Sequence, residues 1–182
     1  MDVVFELLAV VAIIAGNAFF VVAEYAIVTA RRTALEERAT HGSGGAKVAL
    51  RLMENPVRVI SAVQIAITGL GILLGAVGEP VVREVLGESV PTWVSFALAF
   101  LTVTYLSVAF GELVPKALAL HAAERVATIV ARPIDLFARL VAPAVWVLQM
   151  TSRLVLRPLG VPAVGPGERP MSREEIRGVL SD

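Results

Sequence analysis

The chain has 182 residues, of which 57% are hydrophobic, and its mean hydropathy is +0.77. Soluble domains average about 45–50% apolar residues, so this composition predicts an integral membrane protein. The 16 basic residues balance the 16 acidic ones, which gives no indication of a nucleic-acid partner. The sequence contains no cysteine, which excludes disulfides, thiol catalysis and thiolate metal sites.

Three long apolar segments dominate the chain, at residues 3–30, 57–82 and 93–120. Each is longer than the about 20 residues that a helix needs to cross about 30 Å of hydrocarbon. The first segment is too long for the core of a signal peptide and lacks a basic start, because Asp2 and Glu6 precede or open it. We therefore predict an all-α integral membrane protein with three transmembrane helices.

The distribution of charge predicts how these helices are oriented. The first connection carries six basic side chains: Arg31, Arg32, Arg38, Lys47, Arg51 and Arg58. The second connection carries only Arg83, against Glu84 and Glu88. Because basic loops stay in the cytoplasm, we predict a multi-pass protein of the cell membrane with its N-terminus outside and its C-terminus in the cytoplasm. Within the first connection, "RRTALEERA" and "AKVALRLMEN" predict two short cytosol-facing helices joined by the flexible "HGSGG".

No pattern in the sequence indicates an enzyme. The glycines of "HGSGG" precede Ala46 and Lys47 rather than a Gly-Lys-Ser/Thr sequence, so they do not form a P-loop. The two histidines, His41 and His121, lie far apart, and no Ser/His/Asp or H-E-x-x-H arrangement is present. We therefore expect no catalytic activity.

Residues 131–158 are apolar but are interrupted by charge. The uncharged run between Arg139 and Arg153 has 13 residues, fewer than the roughly 17 that a span requires. On a helical wheel the polar side chains fall in one arc, and they are Arg132, Asp135, Arg139, Gln149, Arg153 and Arg157. This pattern favours an amphipathic helix in the membrane interface, kinked at Pro143. The alternative is a fourth span whose arginines extend to the interface.

The C-terminal part of the chain differs in composition from the rest. Residues 161–170 read as a linker rich in proline and glycine. Ser172 and Glu175 then form the S-x-x-E pattern that opens a helix, in residues 171–182. We expect this helix to be the start of a cytosolic region that lies mostly beyond the chain, so that residues 1–160 form the membrane domain.

The third apolar segment ends in "FGELVPKALAL", which combines a carboxylate, a proline and a cation. A carboxylate in a span costs about 2.5–3.5 kcal/mol and usually faces a cavity, a partner or an ion. Pro115 has no N–H, so the carbonyl of Gly111 loses its helical donor beside Glu112. Oxygen ligands of this kind suit Mg²⁺. The alternative is structural, because Glu112 and Lys116 have the i, i+4 spacing of a salt bridge.

Further polar residues lie in the first two spans. Ser61, Gln64 and Thr68 share one face of the second span, where they predict an inward polar face or interhelical hydrogen bonds. Gly71 and Gly75 form a G-x-x-x-G pair, which allows close helix contact and dimerisation. In the first span, Asn17 and Glu24 also share a face. The alternative for Glu24 is an ion pair with Arg31 or Arg32.

Several segments resemble the transmembrane domain of the CorC/CorB–CNNM family. They are "NAFFVVAEYAIVTARRTALEERA", "NPVRVISAVQIAITGLGILLGAVGE", "GELVPKALAL", "PIDLFARLVAPAVWVLQMTSRLVLRPLG" and "REEIRGVL". The resemblance implies a homodimer with three spans per subunit, two short cytosolic helices and a belt-like juxtamembrane helix at about 131–158. It also implies Mg²⁺ transport, with Na⁺-driven export, and a following pair of cytosolic CBS modules that can bind ATP.

The resemblance implies a cation site at Glu112 and the Gly111 carbonyl, and Ser61 matches the family pattern too. We expect Asn17, Ser61 and Thr68 to supply supporting oxygens. Pro115, Lys116 and Glu24 match the family pattern as well. Val21, Ala23, Thr68 and Gly71 depart from it, because they stand where transporting members often carry serine or asparagine. Thr68 still offers an oxygen, whereas Val21, Ala23 and Gly71 offer no side-chain ligand. These departures leave a second interpretation, in which the domain is a membrane anchor and sensor for the CBS modules and transports no ion.

Overall fold

The computed structural model describes residues 3–87 and 90–157, and this part of the chain is built from helices without a strand. The predicted linker at 161–170 and the Ser172–Glu175 pattern lie outside the described residues. The α-helices are α1 (Val3–Thr29), α2 (Arg32–Thr40), α3 (Gly44–Glu54), α4 (Pro56–Leu86), α5 (Thr92–Val108), α6 (Val114–His121), α7 (Ala123–Leu140) and α8 (Ala142–Leu156). A π-helical segment, Ala109–Leu113, joins α5 to α6.

Three helical segments are long and apolar enough to cross a membrane, as the sequence predicts. They run over Val4–Thr29, Pro56–Leu86 and Thr92–His121. The third comprises α5, the π-helical segment and α6. Since consecutive spans run in opposite directions, the end of α1, the start of α4 and the end of α6 lie at the same end of the bundle. We call this the basic end, because the 31–58 connection belongs to it.

The two short helices predicted in the first connection are confirmed as α2 and α3. Each of the turns around α3 has a defined chemical cause. The Ser43 hydroxyl caps α3 by accepting a hydrogen bond from the Ala46 N–H at 3.3 Å. The Asn55 side chain caps α4 in the same way, through the Arg58 N–H, and Pro56 occupies the first turn.

The predicted belt region differs from a single amphipathic helix. It begins earlier, at Ala123, and consists of α7 and α8, which meet at an angle of 66°. The bend follows Val141, directly before Pro143, which therefore sits in the first turn of α8 rather than inside a helix. Arg132 and Arg139 lie on α7, whereas Arg153 and Arg157 follow the bend, so the predicted polar arc is interrupted. By length and composition the bent pair could also form a broken span.

The main core lies at the basic end, where α1, α2, α3, α4, α6 and α7 meet. Many of its buried residues are alanines: Ala23, Ala26, Ala30, Ala46, Ala49, Ala119, Ala127 and Ala131. Small side chains let helix backbones approach closely, which replaces the hydrophobic driving force that is missing between helices in lipid. A second cluster, which includes Val10, Leu74 and Val103, joins α1, α4 and α5 nearer the opposite end.

An ion pair connects the end of α1 to the start of α7. The Arg31 Nε donates to Glu124 Oε1 at 2.8 Å. This hydrogen bond from Arg31 lowers the pKa of the Glu124 carboxyl. The Glu124 carboxylate in turn raises the pKa of Arg31. Since Arg31 is largely exposed, the pair contributes more to orienting α7 than to stability.

The close contact between α3 and α7 at the basic end predicts the effect of adding one methyl group to Gly45. A Cβ added at Gly45 would overlap the Thr128 backbone carbonyl on α7. Gly45→Ala should therefore destabilise the domain by about 1–3 kcal/mol, because neither backbone can yield easily. The measurement is the melting temperature of the purified protein in detergent.

Gly69→Ala is the matched control, because a Cβ at Gly69 meets nothing within 4 Å. Removing a glycine from a helix interior should raise stability by roughly 0.5–1 kcal/mol there. Equal melting temperatures for the two variants would show that α3 and α7 do not pack this closely.

Candidate functional site

The centre of the candidate site is the break in the third span. Pro115 occupies the first turn of α6, where its missing N–H is tolerated. The preceding five residues, Ala109–Leu113, adopt a π-helix, which widens the backbone turn around the buried Gly111. Such π-helical segments are rare and occur frequently at functional sites. The structure thus confirms the irregular backbone that the sequence predicts at "GELVPK".

The Gly111 carbonyl oxygen finds its partner on another helix. It accepts a hydrogen bond from Asn17 Nδ2 on α1 at 3.2 Å, and the Asn17 side chain is buried. A Cβ on residue 111 would lie only 3.0 Å from the same nitrogen, so this approach suits glycine. The other amide atom, Asn17 Oδ1, is buried without a hydrogen-bond partner among the described residues. An unpaired buried oxygen is costly, and it offers a ligand to a donor or a cation.

Glu112 and Lys116 form the ion pair that their spacing predicts, with Lys116 Nζ donating to Glu112 Oε1. The Lys116 ammonium also lies 5.0 Å from the centre of the Tyr25 ring on α1. An ammonium over an aromatic face is stabilised by the ring quadrupole. Tyr25 was missed in the sequence analysis, because no spacing within one helix reveals a contact between two helices. Its position next to Glu24 was the only available signal.

Glu24 does not form an ion pair with Arg31 or Arg32, the alternative given by the sequence. Arg31 pairs with Glu124, and Arg32 pairs with Glu36 on its own helix. The prediction of a Glu24 pair with either arginine is therefore wrong, because both guanidiniums have nearer partners beyond the end of α1. Glu24 is partly buried and precedes Tyr25, whose ring the Lys116 ammonium faces. It thus belongs to the electrostatic surroundings of the Glu112–Lys116 pair.

The polar residues of the second span face away from this centre. Gln64 and Thr68 are exposed, Ser61 is half-buried, and their side chains make no hydrogen bond within the described part of the chain. Within one subunit this polar face does not point inward, because α4 packs through another side, which carries Val59, Ala62, Val63, Leu74, Gly78 and Val81. Ser61 and Thr68 therefore do not join Asn17 and Gly111 within one subunit.

The glycine pair of α4 borders a groove with the third span. Gly71 and Gly75 line a cavity of about 230 Å³ together with Thr104 and Ser107. A Cβ at either glycine would meet nothing within 4 Å. This side of α4 is open, and no helix of the same subunit covers it in the residues that the structure describes.

The chemistry of the centre is that of a sparse oxygen site. The available oxygens are the Gly111 carbonyl, Asn17 Oδ1 and the Glu112 carboxylate. Among the described residues no group of three His, Cys, Asp or Glu side chains could hold a metal ion. Val21 and Ala23, on the neighbouring part of α1, are buried and apolar. A hard cation bound here would keep most of its water and would compete with Lys116 for Glu112.

The hydrogen bond between Asn17 and Gly111 predicts a defined loss of stability. Asn17→Ala removes the side-chain donor of the buried Gly111 carbonyl, which should cost about 1–3 kcal/mol. Thermal unfolding in detergent measures this loss.

Thr102→Ala serves as the comparison, because Thr102 is exposed on α5 and makes no side-chain hydrogen bond within the described residues. Its melting temperature should stay close to that of the wild type. A loss of the same size in both variants would contradict a specific role for the Asn17 amide.

The chain is similar in sequence to several bacterial proteins over nearly its whole length. It is 35% identical over 191 residues to UPF0053 protein YhdT of Bacillus subtilis, covering 100% of this chain and 41% of that protein. It is 39% identical over 186 residues to a UPF0053 protein of Synechocystis, covering 96% of this chain and 41% of the relative. A protein of Haemophilus influenzae named polyamine export protein is 29% identical over 188 residues, which cover 99% of this chain and 43% of that protein.

The chain thus spans about two fifths of the length of these relatives. Residues 7–182 match the profile of the cyclin M transmembrane N-terminal domain. The broken third span, the two short helices and the three membrane-spanning segments agree with this match. The chain belongs to the CNNM family of multi-pass membrane proteins.

Proposed function

We propose that this domain transports cations across the membrane, and that Mg²⁺ enters a site formed by Glu112, the Gly111 carbonyl and Asn17. The observation that carries the proposal is the broken third span, which exposes a carboxylate beside a backbone carbonyl that accepts a hydrogen bond from a side chain of another span. Irregular backbone at membrane depth commonly lines ion sites in transporters. Na⁺-driven export in the cell membrane follows from the family resemblance and belongs to the same proposal.

Lys116 allows a cation to bind and leave the site, because its ammonium can take the place of the cation beside Glu112. When no cation is bound, its ammonium neutralises Glu112 and rests over the Tyr25 ring. A divalent cation that reaches Glu112 displaces this ammonium, and Glu24, which precedes Tyr25 on α1, can then compensate its charge. Binding is weak because the site has few ligands, which suits a transported ion that must also leave.

A second cargo is suggested by the same contact. The pairing of Lys116 with a carboxylate and an aromatic face is the arrangement that also binds an alkylammonium ligand. The Haemophilus relative is named a polyamine export protein. A polyamine whose terminal ammonium replaces that of Lys116 is therefore the competing substrate class.

The alternative function is a membrane anchor and sensor for cytosolic CBS modules, with ATP bound only in those modules. The sparse ligand set favours it, because Val21, Ala23 and Gly71 supply no side-chain oxygen and Lys116 already neutralises Glu112. Flux measurements on the longer protein in liposomes distinguish the two functions. The absence of Mg²⁺ flux, with intact ATP binding, would support the anchor.

The cation site predicts opposite effects of two substitutions. Mg²⁺ should raise the melting temperature of the purified domain, because a ligand of the folded state stabilises it by mass action. Glu112→Gln should abolish this rise, whereas Lys116→Met should strengthen it at low Mg²⁺ by removing the competing ammonium. Thermal shift titrations with Mg²⁺ and with spermidine measure both effects and rank the two cargoes.

Glu79→Gln is the control, since Glu79 is a paired glutamate of α4 that does not belong to the site. It should leave the Mg²⁺ response unchanged. A response that survives in Glu112→Gln, or one that is lost in the control, would contradict the site.

We also propose that the domain acts as a homodimer through the open face of α4. Ser61, Gln64, Thr68, Gly71 and Gly75 share that face, which lies opposite the packed one. Side-chain amides and hydroxyls are poorly accommodated by lipid, and glycines allow a second helix to approach closely. A second copy that covers this face would provide partners for the polar groups.

The absence of cysteine allows this interface to be tested directly. Thr68→Cys or Gly75→Cys should give a disulfide-linked dimer when the protein is oxidised in membranes. Leu101→Cys, on the exposed side of α5, should give much less. Equal yields from all three positions, or none from the α4 positions, would argue against the interface.

A further inference from the structure

The exposed face of α7 carries two parallel rows of different chemistry. Arg125, Arg132 and Arg139 follow one another at intervals of seven residues and form the first row. Ile129, Leu136 and Leu140 form the second row, with exposures of 67%, 71% and 76%. At 100° per residue the two rows are adjacent and together occupy about one third of the helix surface. Arg125, Arg139 and the aliphatic row are exposed, and the exposed Arg132 lies beside Gly44 of α3.

The opposite face of α7 fixes where these rows lie. It carries buried Ala127, Ala131 and Ile134, which pack in the core at the basic end. The midpoint of α7 touches the first turn of α3, where Gly44 lies against Arg132 and Gly45 against Thr128. The start of α7 is held at the basic end, where Glu124 pairs with Arg31. Arg125 and the aliphatic row are exposed on the side of α7 that does not pack in the core.

This pairing of an arginine row with an aliphatic row suits neither water nor the hydrocarbon interior of the membrane. A helix in water would not leave three large aliphatic side chains of one row so widely exposed. A helix in hydrocarbon would not carry three guanidiniums. The boundary between headgroups and acyl chains accommodates both, with the aliphatic row in the acyl region and the arginines at the phosphates.

The ion pairs of α7 show which arginines have charge available for a ligand. Arg139 is paired with Asp135 at 2.6 Å. Arg125 and Arg132 form no ion pair within the described residues and are exposed. They are two helical turns apart, about 10.5 Å along the axis, which is enough for each to contact a separate phosphate. Guanidinium groups bind phosphate through paired hydrogen bonds.

We propose that Arg125 and Arg132 form a binding surface for anionic lipids, whose phosphates contact the two guanidiniums and whose acyl chains lie against Ile129 and Leu136. The surface is independent of the cation site. It gives the domain a preference for anionic over zwitterionic lipid at the basic end, where negatively charged lipid attracts basic residues.

Helix α3 provides a matched control at the same end of the bundle. Its exposed charges include Lys47 and Arg51, and it shows no exposed large aliphatic side chain. Lys47→Gln with Arg51→Gln removes the same charge as Arg125→Gln with Arg132→Gln. If general attraction to a basic protein were the cause of lipid preference, the two double variants would behave alike.

The test is a titration of the detergent-purified chain with short-chain phosphatidylglycerol or phosphatidylcholine, with bound lipids counted by native mass spectrometry. The wild type should prefer phosphatidylglycerol. Arg125→Gln with Arg132→Gln should lose about thirtyfold of this preference, about fivefold for each guanidinium. The α3 variant should keep it, and Arg125→Lys with Arg132→Lys should retain most of it.

Two outcomes would overturn the proposal. One is an equal preference for phosphatidylglycerol in the wild type and the α7 glutamine variant, and the other is an equal loss in the α7 and α3 variants. If the α7 glutamine variant does not fold, the melting temperature of the wild type in the two lipids tests the proposal. Phosphatidylglycerol must then raise its melting temperature above the value in phosphatidylcholine, and salt must reduce that difference; without such a rise the surface does not bind anionic lipid.

Discussion

The hydrogen bond between Asn17 and Gly111 is the contact on which the centre of the domain depends. In hydrocarbon, a backbone carbonyl without a donor is costly, and Pro115 removes the donor that a regular helix would give Gly111. The Asn17 amide supplies it from another span, at 3.2 Å. A local defect in one helix thereby becomes a link between two, and it places Glu112 and Lys116 opposite Tyr25.

In the proposed function, the Glu112–Lys116 ion pair and the cation site are not exclusive alternatives. Lys116 neutralises Glu112 within one helix, which lowers the cost of keeping a carboxylate in the membrane. The same carboxylate stays partly exposed, so a cation that arrives from outside the protein can compete for it. Under the proposed function, the ion pair is the resting arrangement of a site whose affinity is set by that competition.

The sequence predicts the lengths of the helices better than it predicts which face of each helix packs against its neighbours. Hydropathy identifies the three spans, and caps and charge identify α2 and α3, because these signals lie along one helix. The face through which α4 packs could not be predicted, because both of its sides carry small and apolar residues. The choice depends on how Ala62, Val63 and Leu74 fit neighbouring helices. Likewise, the break at Pro115 is visible in the sequence, whereas Asn17, which is 94 residues away from Gly111, becomes its partner only through tertiary packing.

The π-helical segment has a consequence for the geometry of the third span as a whole. A π-turn contains one residue more than an α-turn, so it acts as a one-residue insertion within a continuous helix. Every residue after Leu113 is therefore rotated by about 100° relative to an uninterrupted helix. With this rotation, Pro115 and Ala119 face the core, and Leu118 and Leu120 face outward. The helical phase of the end of the span is thus set by five residues, and their conversion to regular α-helix would turn a different side of α6 toward α1.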